Sequence, residues 1–380
     1  MQSPSFKILL IYKRIPIFKI VFLYPRSYIM QLICSSDNFL TSEQEQLLST
    51  EQVNIVHKVK LTPIYIIEAQ DIDEVVSLGL FKGVRKAETF SVAEDVKMYP
   101  NIPNTPLIRK LNAVGWGGIK VAILDTGVRP EQISVTYSKD FTGYNNIIIH
   151  DHGTKVAKII NHYSPRAHIM SFKVGHEGND IKEGAIFMAL DDVMEQGANI
   201  VNMSISFGRG CKGKCELCTY LDLLVDSTGI IVVTAAGNKG QLPVSSIGCP
   251  GAAEKVITVG AVDHYKMLAS FSSIGEPGFD KPNILAPGYT EIKMRYPSGF
   301  LIGTDEGTSF ATPVVVGVLT SLFSIYLDKS LIITKMYQTC ECIGIPRHEQ
   351  GFGLLNLEKL VEVCLQDDAI SRTDSRQKST

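Results

Sequence analysis

"KVAILDTG", residues 120–127, is apolar on both faces of an extended chain and stops abruptly on an acid and a glycine. A strand with one face in water alternates apolar and polar residues; one that does not alternate is covered on both sides, as in a parallel sheet. The pattern recurs outward from there, in "HIMSFKV" (168–174), "NIVNMSI" (199–205), "IIVVTAA" (230–236) and "VITVGAV" (256–262). Helical patterns lie between, starting near Gly153, over 180–196 and near 219–227. Ala185, Met188, Ala189 and Val193 mark the face that the second of these lays on the sheet. The expectation is an α/β fold, a doubly wound and mostly parallel sheet with helices on both faces.

The 380 residues are 45% hydrophobic and 20% charged, with a formal net charge of −2. That is globular composition, and its charge points to neither nucleic acid nor an anionic membrane as partner. In the first thirty residues Lys7, Lys13, Arg14, Lys19 and Arg26 interrupt every apolar run. Neither a signal-peptide h-region nor a membrane span is expected there. Eight cysteines in so long a chain are too sparse for a disulfide scaffold. Both features favour the cytoplasm, with secretion as the alternative.

The style changes near residue 100. After an N-terminal segment (1–17), residues 18–97 read as a small α+β domain. Its order is a strand "FKIVFLY" (18–24), a helix "SEQEQLLS" (42–49), a strand "HKVKLTPIYIIEA" (57–69), a helix from "DIDEVVSLG" (71–79) and a closing strand near "RKAETFSV" (85–92). Residues 98–106 hold Pro100, Pro103 and Pro106 and read as a linker. Residues 107–363 form the main domain, and 364–380 a polar tail.

In open parallel sheets, function gathers at the carboxyl ends of the strands. Asp125 stands at such an end, Asn238 follows another in "AAGN", and His152 precedes a helix in "HDHGTKVAKII" (150–160). Alone, Asp125 reads equally well as a turn residue, while Asn238 reads more readily as a turn and His152 as a cap or surface group. Ser309, in "EGTSFATPVVVGVL" (306–319), enters a long apolar helix through small residues, with Pro313 expected close to the unpaired amides of the first turn. Serine needs a base within hydrogen-bond reach, and that base needs an acceptor to fix its tautomer. Asp125, His152 and Ser309 supply these three roles.

With these residues in view the chain resembles the subtilisin (subtilase, peptidase S8) family of serine endopeptidases. The family's signatures appear in their usual order as "VAILDTG" around Asp125, "HGTKVA" from His152 and "GTSFATP" around Ser309. The resemblance implies hydrolysis of protein or peptide substrates through an acyl-enzyme, without a cofactor. It implies an oxyanion role for Asn238 and substrate contacts from Ser204, Ile205, Ser206, Ala235, Ala236 and Gly237. It further implies that residues 18–97 act as an inhibitor-like prodomain in an autoprocessed zymogen. Two departures stand out. Lys158 occupies a usual glycine position, and the loop before "HIMSFKV" is short, so the calcium site of many members is expected to be missing.

A second chemistry is written in Cys211, Cys215 and Cys218, at C-x3-C-x2-C spacing, with Cys249 in "GCPG" as a fourth sulfur. With one tight cluster, buried or disulfide-paired cysteines shaping a loop are the first reading, and structural zinc, which takes four such ligands, is the alternative. Cys340 and Cys342 read as packing residues. An α/β-hydrolase would need G-x-S-x-G and the order Ser, Asp, His, and neither is present.

Overall fold

The computed structural model describes residues 30–50, 53–86, 89–92, 118–145, 147–176, 180–207, 210–240 and 245–365. The strand expected over 18–24, the segment 1–17 and the linker 98–106 lie outside the described residues.

The N-terminal unit is a four-stranded antiparallel sheet carrying two helices. In chain order it comprises β1 (Met30–Ser35), α1 (Ser42–Thr50), β2 (Asn54–Lys58), β3 (Ile64–Ala69), α2 (Ile72–Ser77) and β4 (Gly83–Lys86), with spatial order β2-β3-β1-β4. Two sequence expectations are corrected. The stretch 57–69 is a hairpin rather than one strand: the chain reverses before Pro63, and Val59 N–H donates to Ile64 O at 2.9 Å. The stretch 85–92 is also two strands, because β5 (Thr89–Val92) leaves the N-terminal sheet.

The main sheet has seven strands in the order β14-β13-β12-β10-β6-β8-β7, every neighbouring pair parallel. These are β6 (Lys120–Asp125), β7 (Tyr137–Asp140), β8 (His168–Lys173), β10 (Ile200–Met203), β12 (Ile231–Ala235), β13 (Ile257–Val262) and β14 (Ile284–Pro287). Side-chain alternation divides the core as a two-sided sheet requires. Val121 and Ile123 of β6 join one core with α3 (His152–Tyr163) and α6 (Thr308–Phe323); Ala122 and Leu124 join the other with α4 (Glu183–Glu195) and α5 (Glu216–Thr228). Helix α6 is buried along its whole length, which accounts for its unbroken apolar sequence. Strands β15 (Tyr289–Tyr296) and β16 (Gly299–Glu306) form a hairpin leading into it. Lys158, at the usual glycine position, donates its Nζ to Lys293 O on that hairpin. Helices α7 (Lys329–Thr339) and α8 (Arg347–Gln350) follow. Cys340 ends α7, whereas Cys342 is exposed and so is not the packing residue expected.

The N-terminal unit shares the α4/α5 core. Ile33, Ile64 and Ile66 point into it, while their neighbours Leu32, Cys34, Tyr65 and Ile67 fill the unit's own core. At the polar border Arg85 pairs with Glu183 and Glu216, the first residues of α4 and α5. His57 meets Asp191, which also accepts from Tyr220.

Candidate active site

Asp125 closes β6 where the strand order reverses, with β8 on one side and β10 on the other, which opens a crevice at the sheet's carboxyl edge. It is fully buried, and its Oδ1 accepts from Thr126 N–H at 2.7 Å. His152 Nδ1 lies 2.9 Å from Oδ1 and 3.0 Å from Oδ2. An ionised carboxylate only accepts, so Nδ1 carries the proton and Nε2 is left as the basic nitrogen. Helix α3 starts close enough for this contact because residue 153 is glycine. A Cβ there would stand 2.5 Å from Gly127 O and 3.0 Å from Asp125 Cβ.

Asp151, just before His152, takes hydrogen bonds from Arg129 and Tyr296. Burial works against its charge, but those bonds and the Arg129 guanidinium hold its carboxyl below the ordinary value. The entry to α3 is thus pinned to the β15–β16 hairpin.

Ser309 is the second residue of α6 and fully buried. Its Oγ donates to Ser204 O at 3.1 Å, while His152 Nε2 is buried with no partner among the described residues. The structure therefore joins His152 to Asp125 directly and turns the Ser309 hydroxyl toward Ser204. The His152 ring lies 5.3 Å from that of Phe310, the residue after Ser309.

Pro313 falls beyond the first-turn amides where the sequence suggested it would sit, and its missing N–H strips the Ser309 carbonyl of its helical donor. Ser204 Oγ supplies the replacement at 2.7 Å and is itself held by Asn202 Nδ2 at 3.0 Å.

Asn238 Oδ1 accepts from both the amide (3.0 Å) and the hydroxyl (2.9 Å) of Thr308, an orienting residue that sequence reading missed. With its oxygen occupied twice, the side chain presents Nδ2. A Cβ placed on Gly307 (φ +149°) would lie 3.0 Å from Asn238 Nδ2 and 3.7 Å from Ser309 N, so two donors face one small space that only glycine leaves open. Thr308 N–H is taken by Asn238 and Phe310 N–H by Gly307 O, so among the described residues the Ser309 N–H is unclaimed.

A three-stranded sheet lies beside these residues. β5 lies between β9 (Ile181–Lys182) and β11 (Ile205–Ser206), antiparallel to both, with Val92 opposite Ile205, Ser91 opposite Ser206 and Phe90 opposite Ile181. Of the residues expected to line substrate, Ile205 and Ser206 pair with this strand through their backbones. Ser204, Ile205, Ala235 and Ala236 bury their side chains. A Cβ on Gly237 would stand 2.5 Å from Ser206 Oγ. The second edge, β9, falls inside the stretch 180–196 expected to be helical, whose helix begins only at Glu183. Beside β11, the sulfurs of Cys211, Cys215, Cys218 and Cys249 lie within 4.8 Å of one another.

Residues 117–336 match the Subtilase family (Peptidase_S8) profile. Over 273 residues the chain is 31% identical to Subtilisin DY of Bacillus licheniformis, covering 67% of this chain and 96% of that one. It is similarly 31% identical over 259 residues to Serine protease AprX of Bacillus subtilis, covering 56% and 58%. In fold it resembles the epidermin leader peptide processing serine protease of Staphylococcus aureus, with a TM-score of 0.69 at 17% identity over 88% of this chain and 99% of that one. The domain match, the identity to subtilisins and the parallel sheet agree: this chain belongs to the subtilase family of serine endopeptidases.

Proposed function

We propose that this endopeptidase cuts extended peptides with Ser309 as nucleophile, His152 as general base, Asp125 as the acceptor that orients His152, and Asn238 with the Ser309 amide as oxyanion donors. The observation that carries the reading is the buried His152–Asp125 pair at the mouth of a crevice where Asn238 Nδ2 and Ser309 N converge. In this reading the incoming carbonyl displaces the resting arrangement. Ser309 Oγ leaves Ser204 O, gives its proton to His152 Nε2 and bonds to the carbonyl carbon, while the developing oxyanion settles between the two donors. Collapse expels the amine, protonated by His152, and water repeats the sequence on the acyl-enzyme. Like other subtilases the protein needs no cofactor for this chemistry.

Asn238→Leu tests the oxyanion role. It should lower kcat by about a hundred- to a thousandfold with little change in KM, the size known for loss of the corresponding donor in subtilisin. A change confined to KM would reassign Asn238 to substrate binding.

The N-terminal unit is read as a prodomain whose last strand, β5, occupies the cleft as a product-like segment. The antiparallel register steps from Ser91–Ser206 to Val92–Ile205 and so runs toward Ser204, whose carbonyl accepts the Ser309 hydroxyl. Self-cleavage is therefore expected just beyond Val92, between about Glu94 and Asn101. Burial of Ile33, Val59, Ile64 and Ile66 against the catalytic core contributes about 1.5–3 kcal/mol each, none of it dependent on the scissile bond. The fragment should stay docked and inhibitory after the cut. Intact-mass measurement should show wild type split near this point and Ser309→Ala at full length. A wild type that cleaves added substrate while remaining whole would make the N-terminal unit a permanent domain.

A further inference from the structure

The four cysteines beside the cleft have no part in the chemistry above, yet they converge. Cys211 and Cys218 sulfurs stand 3.7 Å apart, Cys215 and Cys249 3.4 Å, and Cys218 and Cys249 3.6 Å. A disulfide needs about 2.05 Å, far shorter than any of these. A zinc ion with four sulfurs at about 2.3 Å defines a tetrahedron whose edges are about 3.8 Å. The observed spacing fits that tetrahedron and is too tight to hold an iron–sulfur cluster between the same sulfurs. We propose that Cys211, Cys215, Cys218 and Cys249 bind one structural zinc ion that clamps the substrate-cleft edge.

The backbone around the site supports this assignment over four thiols packed by chance. Between the first two cysteines Lys212 (φ +49°) and Gly213 (φ +78°) are both left-handed, and Lys214 N–H donates to Cys211 O at 2.9 Å. This tight turn folds Cys211 back toward Cys215. The left-handed geometry is costly at a lysine, and apolar burial does not account for it, since Cys211 and Cys215 are only part-buried. A Cβ on Gly213 would stand 2.7 Å from Ala252 O, so the turn lies directly on the segment that carries Cys249. Cys215 is the N-cap of α5 without a side-chain capping bond, and Cys218 lies in the first turn.

The site is one residue removed from the cleft. Phe207, directly after β11, donates its amide to Cys249 O at 2.7 Å. Glu216, directly after Cys215, receives Arg85 from the N-terminal unit. A metal holding the 211–218 loop to Cys249 would fix β11, the edge on which an extended peptide pairs, and the start of α5, on which the N-terminal unit docks. The metal assignment stands on the sulfur and backbone geometry and not on the proteolytic reading; its clamping role rests on that reading.

The test begins with the full-length Ser309→Ala chain, purified under reducing conditions from zinc-supplemented culture. Elemental analysis should find one zinc per chain. Exchange with cobalt(II) should give the strong visible bands and thiolate charge transfer of a tetrahedral sulfur site. Cys215→Ser with Cys218→Ser should abolish both signals, and Cys342→Ser should keep them. The cobalt spectrum of the otherwise unchanged chain stands even where the double variant misfolds. Absence of stoichiometric metal, iron in place of zinc, or a mass lowered by the hydrogens of disulfides within this set would overturn the assignment. In wild type, stripping the metal should raise KM for peptides severalfold and lower Tm, and reloading should restore both. An unchanged KM would remove the clamping role. Failure of metal-loaded wild type to cleave any peptide would count against the proteolytic reading and leave the metal stoichiometry untouched.

Discussion

Replacing Ser309 by alanine is expected to lower kcat for peptide hydrolysis by about a millionfold while leaving the fold intact. The size is that known for loss of the nucleophile in subtilisin, a relative. The structural part of the expectation is specific to this chain. Among the described residues Ser309 Oγ makes one hydrogen bond, to Ser204 O, and the strut beneath it runs through the Ser309 carbonyl and Ser204 Oγ, which alanine preserves. The loss in stability should therefore be about 1 kcal/mol or less, the scale of a single hydrogen bond. Denaturation midpoints and single-turnover assays on the same preparations separate the two effects. A variant that is inactive because it is unfolded would show the burial around Ser309 to be more demanding than the hydrogen bonds suggest.

The second large effect is expected at Asp125. In Asp125→Asn the Thr126 amide still requires an oxygen where Oδ1 now stands, 2.7 Å away, which directs the new NH2 group to the Oδ2 position 3.0 Å from His152 Nδ1. That group can only donate, which favours the tautomer in which Nδ1 accepts and the proton sits on Nε2 over the one in which Nδ1–H keeps its 2.9 Å contact to Oδ1. The base then faces Ser309 with its lone pair gone. A loss of about 10⁴ in kcat is the size such a tautomer reversal has in triad proteases. KM should change little, because Asp125 is buried away from the strand pairing of the cleft. Retention of more than a tenth of wild-type kcat would mean that Asp125 does not set the His152 tautomer.

Much of this site could be read in the sequence because its parts are local. The strand ending on Asp125, the helix opening on His152 and the helix opening on Ser309 each announce themselves within about ten residues, through two-sided apolar runs and small residues at the turns. The features that escaped depend on distance. Thr308 orients Asn238 across 70 positions, and Ser204 supports the Ser309 carbonyl across 105. Nothing in either neighbourhood marks the partner. Ser204 was read only as a substrate contact; its hydroxyl also repairs the gap left by Pro313, whose place in the helix could not be fixed until the helix start was known.

The fold shows the same division. Two-faced strands identify a parallel sheet, but the N-terminal unit mixes short strands whose ends are set by tertiary pairing. β1 went unnoticed because "MQLICS" is brief and lies beside the more apolar 18–24. The stretch 85–92 looks continuous, yet β4 completes the N-terminal sheet and β5 pairs between β9 and β11. Local propensity carries no information on which sheet a strand will join.

The most direct test of the central claim is covalent labelling of the mature wild-type enzyme with an alkyl fluorophosphonate, a reagent that captures a serine hydroxyl only when a neighbouring base and oxyanion donors activate it. Peptide mapping should place a single adduct on Ser309. His152→Ala should remain unlabelled. An adduct on another serine, or equal labelling of Ser309 with His152 removed, would contradict the account of this site.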